Sequence, residues 1–116
     1  MRYLLLIYTE ESVDEGLTEA EMGQMMEGYG KFDAELEASG GLRDSARLQP
    51  IAAATTVRIR EGKTVHTDGP FAETKEALGG YYLIDVENLD AALEWAKKVP
   101  SAHLGSIEVR PIWEME

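Results

Sequence analysis

The sequence contains no cysteine. A chain without thiols has no disulfide framework, no thiolate nucleophile and no cysteine-based zinc site, a composition typical of a reducing compartment. It also has no apolar run near the roughly 20 residues that a membrane-spanning helix needs. The apolar segment Met1–Tyr8 is too short, and too soon followed by acidic residues, for a signal peptide. We therefore expect a cytoplasmic protein without a membrane segment.

Basic residues are scarce, with 11 Lys and Arg against 22 Asp and Glu and a net charge of −11. Because such a chain cannot neutralise many phosphates, direct binding to nucleic acid or to an anionic membrane is not expected. Most of the excess lies between Glu10 and Glu37, where Lys31 is the single base. This segment predicts a solvated helix face, with a docking patch for a basic partner as the alternative.

Histidine is scarce too, with two residues in the chain. A metal site needs several converging ligands, whereas His66 and His103 lie far apart with no regular carboxylate spacing between them. No Ser/His/Asp arrangement and no phosphate-binding glycine loop is present. The sequence predicts neither a metal centre nor a cofactor.

The length of 116 residues fits one domain with one core, so residues 1–116 are interpreted as a single domain. Two segments, Tyr3–Tyr8 and Tyr81–Val86, are apolar on both faces of a predicted strand. Strands of this kind lie in the middle of a sheet that is covered on both sides.

Two helices are predicted between the strands. Thr18 and Glu21 form a capping box that begins the first, and Gly40-Gly41 ends it. Asn88 caps the second, and Pro100 stops it. Their apolar stripes are Met22, Met25, Tyr29, Phe32 and Leu36 in the first, and Leu89, Ala92, Leu93, Ala96 and Val99 in the second.

The remaining segments predict a hairpin and two further extended stretches. Thr55–Arg60 and Thr64–Thr67, joined by a turn, form a hairpin with one solvent-facing side. The segment 42–53 is a loop or a short edge strand, and Ser106–Arg110 is a last strand. The resulting βαββαβ order predicts an α+β, ferredoxin-like antiparallel sheet with two helices on one face. Since two helices cover only one face, we expect a homodimer, a dimeric α/β barrel, to bury the other.

Most of the chemistry in the sequence lies in residues 66–76, HTDGPFAETKE. Asp68-Gly69-Pro70 predicts a rigid turn. Residues 72–78 have a helix-forming composition and would form one or two helical turns that Gly79-Gly80 end.

Thr67–Glu76, followed by Leu78–Val86, resembles the DGPFAETKE family of YCII-related proteins, and the resemblance extends over nearly the whole chain. It implies a dimeric α/β barrel of ferredoxin-like topology in a bacterial cytoplasm. It also implies a link to extracytoplasmic-function sigma factors, because relatives are often encoded beside or fused with them. Shorter YCII-like proteins carry a proposed His–Asp pair with the His on the first helix. That helix has no histidine here, and Asp68 alone can be matched.

The candidate site residues surround this turn. His66 and Asp68 lie two positions apart, about 7 Å along a strand, so they share a face and could perform acid–base catalysis such as a lactone-type isomerisation. The alternative is that Asp68 caps its own turn and His66 lies on the exposed side of the hairpin. The predicted ligand-binding residues are Phe71, Glu73, Lys75, Tyr8 and Tyr81.

Two functions are compatible with these features. The first is a dimer that binds an unidentified small molecule, with acid–base activity as a further step. The second is a non-catalytic sensor or partner module that acts with a sigma factor in transcriptional control.

Overall fold

A computed structural model describes residues 1–115 of the chain. Within them, helices and strands alternate as an α+β fold with antiparallel sheets, as the sequence predicts. The strands are β1 (Arg2–Thr9), β2 (Leu42–Arg47), β3 (Thr55–Arg60), β4 (Lys63–Asp68), β5 (Ala77–Asp85) and β6 (Ser106–Pro111). The α-helices are α1 (Glu11–Glu15), α2 (Glu19–Ala38) and α3 (Leu89–Lys98), with short 3-10 turns at Ile51–Ala53 and Pro100–His103.

The main sheet has four strands in the order β2-β5-β1-β6, and every neighbouring pair is antiparallel. The two strands that are apolar on both faces, β1 and β5, lie in the middle, which confirms their predicted place. Segment 42–53 supplies the edge strand β2, so the edge-strand alternative is right for its first half. The Cα atoms span 48 × 47 × 18 Å, and the molecule is therefore a slab one sheet and one helix layer thick.

One face of this sheet packs against α2 and α3. Alternate residues of β1 and β5 are buried there beside Phe32 and Leu36 of α2, and the Phe32 ring contacts the edges of Tyr82 and Trp95. Burial of these side chains stabilises the fold because it removes apolar area from water. The buried core comprises Tyr3, Leu5, Ile7, Phe32, Leu36, Tyr82, Ile84, Ala92, Ala96 and Val99.

The other face of the sheet has no helix over it. The register of β1 and β5 places on this open face Leu4, Leu6, Tyr8, Leu78, Tyr81 and Leu83. Most of these side chains are half-buried, and no helix of the core packs on them. The open face is therefore an apolar surface.

The helix termini follow the predicted capping chemistry. The Thr18 hydroxyl accepts the Glu21 N–H at 3.1 Å, and the Glu21 carboxylate accepts the Thr18 N–H at 3.0 Å. The Asn88 side chain accepts the Ala91 N–H at 3.0 Å. Hydrogen bonds to the charged form lower the pKa of Glu21, since its carboxylate accepts from Thr18. Helix α1 was not predicted, because its five residues carry no apolar stripe.

The predicted hairpin forms, but it does not join the main sheet. Strands β3 and β4 pair only with each other and meet at Glu61-Gly62, where both residues have positive φ, as a two-residue type I′ turn requires. The prediction of one solvent-facing side is wrong in the single chain, because both sides are largely exposed. Val57 and Ile59 lie on this surface at 59% and 66% exposure.

The predicted helix at 72–78 is also wrong. Residues 69–76 form bends, and β5 begins at Ala77 by pairing with Thr9 of β1. Gly79-Gly80 lies inside β5 and ends no helix. A Cβ at Gly80 would lie 2.8 Å from the Ala46 carbonyl oxygen, so glycine is needed there for the close approach of β2.

Candidate functional site

A cavity of about 750 Å³ lies between the N-terminal half of α2, helix α1 and the sheet. Gly79 and Gly80 form part of its floor, and because they have no side chains the sheet surface below α2 is bare at this point. Further along β5, Tyr82 and Ile84 fill the equivalent space as core. The glycine pair of β5 therefore creates room that the rest of the strand does not leave.

We call this space the helix-side cavity. Its walls are largely apolar, and methionines supply the side of α2, where their unbranched side chains adapt to irregular shapes. The residues that line it include Ile7, Thr9, Glu11, Asp14, Glu15, Leu17, Met22, Met25, Met26, Tyr29, Asp33, Ser45, Arg47, Leu48, Gln49, Tyr82 and Ser101.

Two tyrosines position polar groups at the base of the cavity. The Tyr82 phenol, whose residue is 6% exposed, donates a short hydrogen bond to Asp33 Oδ1 on α2. The Tyr29 hydroxyl lies 2.7 Å from Ser101 Oγ, with either oxygen as donor. Burial, reinforced by the bond to Asp33, raises the pKa of Tyr82 far above its usual range. Burial also raises the pKa of Tyr29. Both phenols therefore stay protonated and act as hydrogen-bonding groups.

Carboxylates surround the mouth of the same cavity. Asp14 accepts the Thr9 hydroxyl at 2.6 Å, and Glu11 accepts the Ile51 N–H at 3.2 Å. Arg47 of β2 is the guanidinium on the opposite wall. The cavity can thus hold a small organic molecule by apolar contact and orient it through hydrogen bonds to a few carboxylates and phenols.

A second cavity of about 760 Å³, which we call the loop cavity, lies beside Tyr8 at the end of the open face. The loop cavity is mainly apolar and borders on the DGPF turn. Its lining residues are Tyr8, Leu48, Gln49, Pro50, Ile51, Ala53, Ala54, Pro70, Phe71, Ala72, Thr74, Ala77 and Leu78.

The structure brings together some of the predicted ligand-binding residues and separates others. Tyr8 and Phe71 line the loop cavity together. Tyr81 lies on the open face of the sheet, where its hydroxyl donates to Asp44 Oδ2 at 2.9 Å. Glu73 and Lys75 are exposed in the bends after the turn and line neither cavity.

His66 and Asp68 lie on β4 and point to the same side of the hairpin, opposite Val57 and Thr55 of β3. Both are exposed and line neither cavity, so their role as an acid–base pair stays a prediction. Asp68 does not cap its turn in the described chain, because the backbone bond from Gly69 N–H to the Ala54 carbonyl, 2.6 Å, closes that loop instead. The exposed position expected for His66 is confirmed.

Sequence reasoning missed Tyr82 and Asp33 as a site. One signal was present, because Asp33 follows Tyr29 by four residues and so lies on the same side of α2 as the apolar stripe. A carboxylate at such a position needs a hydrogen-bond partner when the stripe is buried. The partner, Tyr82, is 49 residues away, and no local pattern identifies it.

No group of three or more His, Asp and Glu side chains in residues 1–115 is arranged to hold a metal ion. Among the described helices, none is both long and apolar enough to cross a membrane.

Comparison with known proteins agrees with the resemblance seen in residues 67–86. The model of the YCII-related domain matches residues 1–116. An uncharacterised protein of Rhizobium meliloti (strain 1021) is 42% identical over 114 residues, which cover 97% of this chain and 92% of that protein. The chain therefore belongs to the family of proteins with a YCII-related domain.

Proposed function

We propose that the protein binds a small organic molecule in the helix-side cavity. The observation that carries this proposal is the glycine-floored space of about 750 Å³, in which the Tyr82–Asp33 pair lies at the base of apolar walls. Ligand cavities in proteins commonly measure about 300–1,000 Å³ and combine apolar walls with a few placed polar groups. The helix-side cavity has both properties, and the exposed hairpin around His66 has neither.

The quaternary structure that fits this function is a dimer of ferredoxin-like subunits. The order β2-β5-β1-β6, with two long helices on one face, supports a ferredoxin-like topology in which the β3–β4 hairpin is an insertion. The apolar open face supports a second copy packed sheet against sheet, in a dimeric α/β barrel. Each copy would then cover the open face of the other.

A thermal-shift screen of small metabolites tests the binding proposal. A ligand that binds only the folded chain stabilises it by about 2.7 kcal/mol when present at 100 times its Kd, so its melting temperature rises. Each compound that raises the melting temperature is then tested on Gly79→Val. A Cβ at Gly79 meets no atom closer than 3.9 Å, so the valine side chain fits the strand while it fills the cavity floor.

We expect Gly79→Val to fold and to lose the ligand-induced shift. The matched control is Gly23→Ala on α2, where a Cβ has no atom within 4 Å and lies away from the cavity. The proposal is contradicted if no compound shifts the melting temperature, or if Gly79→Val and Gly23→Ala respond to each hit as the unchanged protein does.

A second function has one observation in its favour. Apart from the capping residue Glu21, four carboxylates of α2 are exposed and form no ion pair within the described chain: Glu19, Glu27, Glu35 and Glu37. This surface supports docking onto a basic protein, such as an extracytoplasmic-function sigma factor. A pull-down with the sigma factor encoded nearest to the protein tests it. Capture that is lost in high salt, or in a variant with the four residues changed to Gln, would favour the partner module.

A further inference from the structure

We propose that the ligand of the helix-side cavity is an organic ammonium compound, an amine cation on an apolar body, and that Asp33 is the residue that binds the ammonium group. This inference rests on the proposed function, because it names the chemical class of molecule that the cavity takes. Three features of the cavity support it: the free oxygen of Asp33, the charge of the lining residues and the apolar walls.

Asp33 keeps one oxygen for a ligand. Its Oδ1 accepts the bond from Tyr82, while Oδ2 has no partner in the described chain. In that part of the chain no fully buried side-chain oxygen or nitrogen lacks a hydrogen bond. Oδ2 of the half-buried Asp33 is therefore not fully buried, and Asp33 is one of the residues that line the cavity. The bond from Tyr82 fixes the carboxylate, so Oδ2 is a preorganised acceptor for an N–H donor.

Asp33 forms no ion pair within the described chain. Its partner is a neutral phenol, and the same is true of Glu11 and Asp14, which accept from a backbone N–H and a hydroxyl. A neutral donor satisfies a lone pair and leaves the negative charge in place. The ion pairs of the described chain use other carboxylates: Asp85, Glu94, Glu108 and Glu114.

The net field in the cavity therefore favours a cation. Arg47 is the one basic side chain among the lining residues of the described chain, against the carboxylates of Glu11, Asp14, Glu15 and Asp33. An anionic ligand would meet this excess of negative charge, whereas an ammonium group would offset it. The exposed carboxylates at the far end of α2, such as Glu35, differ because water solvates them fully.

The apolar walls indicate what carries the ammonium group. Met22 and Met25 are half-buried along α2, and Tyr29 is held in place by its contact with Ser101. Thioether side chains adapt to the outline of an aliphatic or aromatic body, and a tyrosine ring attracts a cation to its face. A bare inorganic cation would use none of these walls.

Three compounds of nearly equal size separate charge from shape: benzylamine, benzyl alcohol and benzoate, each titrated into the full chain by calorimetry. We expect benzylamine to bind at least about tenfold more tightly than benzyl alcohol, as one charge-assisted hydrogen bond allows. Benzoate should bind least. In Asp33→Asn, which keeps an oxygen for Tyr82, benzylamine should lose about tenfold in affinity while benzyl alcohol is unchanged.

Glu35→Gln is the matched control, because it removes the same charge from α2 at an exposed position outside the cavity. A similar loss in Asp33→Asn and Glu35→Gln overturns the role of Asp33. If benzyl alcohol binds as tightly as benzylamine, and Gly79→Val abolishes both, the ammonium inference fails and the binding function stands. Binding by none of the three overturns the ammonium inference, and the metabolite screen then decides the binding function separately.

Salt dependence gives a second readout that needs no variant at Asp33. Raising the ionic strength from about 0.01 M to about 0.15 M shortens the screening length from about 30 Å to about 8 Å. The affinity for benzylamine should fall over this range, while that for benzyl alcohol should not. Equal behaviour of the two compounds overturns the proposal.

Discussion

The two faces of the four-stranded sheet are made by the same central strands and have different surroundings. Leu5 and Ile84 point to α2 and α3 and are fully buried, whereas their neighbours Leu6 and Leu83 point to the open face and are half-buried. Side chains of nearly equal apolarity thus occupy two environments. A strand that is apolar on both faces therefore indicates that other residues pack on both faces. The pattern does not indicate whether those residues belong to the same chain.

The largest effect is expected from a charge placed on the open face. In Leu83→Glu, dimer formation would bury two unpaired carboxylates, each at a cost of several kcal/mol. We expect the variant to sediment as a monomer at concentrations where the unchanged protein sediments as a dimer. Leu93→Glu, on an exposed position of α3, is the control. If Leu83→Glu associates as the unchanged protein does, the open face is not the interface.

A pair of adjacent truncations compares the two faces directly. Ile84→Ala leaves a cavity in the core and should lower the free energy of unfolding by about 2–5 kcal/mol at any protein concentration. If the proposed dimer forms, Leu83→Ala should cost less in dilute solution and more as the concentration rises, because the Leu83 side chain would be fully buried only in the dimer. Urea unfolding at two concentrations measures both. If the two variants lose the same free energy of unfolding at both protein concentrations, the proposed difference between the two faces is contradicted.

A smaller effect, dependent on pH, is expected from Tyr82 on the covered face. Tyr82→Phe keeps the ring contact with Phe32 and removes the bond to Asp33, so it should cost about 0.5–1.5 kcal/mol at neutral pH. The folded-state pKa of Tyr82 is raised, so its contribution is complete below the unfolded-state pKa of about 10 and is lost as pH rises beyond it.

Urea unfolding of the two proteins at about pH 8 and about pH 11 tests this sign. The unchanged protein should lose more stability over that interval than Tyr82→Phe, which has no phenol at this position to ionise on unfolding. If the free energy of unfolding falls by the same amount in both proteins, Tyr82 does not contribute to the loss of stability at alkaline pH.

The smallest effect is expected on the uncovered hairpin. Asp68→Ala should change the free energy of unfolding by less than about 0.5 kcal/mol, because Asp68 is exposed and caps nothing. Thr18→Ala, which removes a formed cap, should cost about 1 kcal/mol and serves as the comparison. A cost for Asp68→Ala as large as that for Thr18→Ala would contradict the exposed position.

Much of the fold was predictable because its signals are local. The capping box at Thr18, the cap at Asn88 and the apolar patterns of β1 and β5 each depend on residues within a few positions. The helix predicted at residues 72–78 was wrong, and it was predicted because the composition of that segment favours a helix. Pairing of Ala77 and Leu78 with β1 overrides that preference, since a central strand buries more apolar surface than an isolated turn.

The site was less predictable than the fold. Its polar base joins Asp33 of α2 to Tyr82 of β5, and its floor depends on glycines that the sequence pattern assigns to a helix end. Residues so far apart in sequence are brought together by the topology of the fold. The position of the cavity depends on where the packed core leaves space. Among the residues predicted for the ligand, Tyr8 and Phe71 line the loop cavity, and Tyr81 lies on the open face of the sheet.

Gly80 limits which substitutions this part of the sheet can accept. Even the methyl group of alanine would act as a wedge between β5 and β2, because the Ala46 carbonyl stands only 2.8 Å from where it would be. The displaced edge would carry Arg47, its neighbour in register, away from α2. Substitution of Gly80 would therefore add a carbon to the cavity floor and separate β2 from β5 at the same time, so both the floor and the pairing of the edge strand require glycine here.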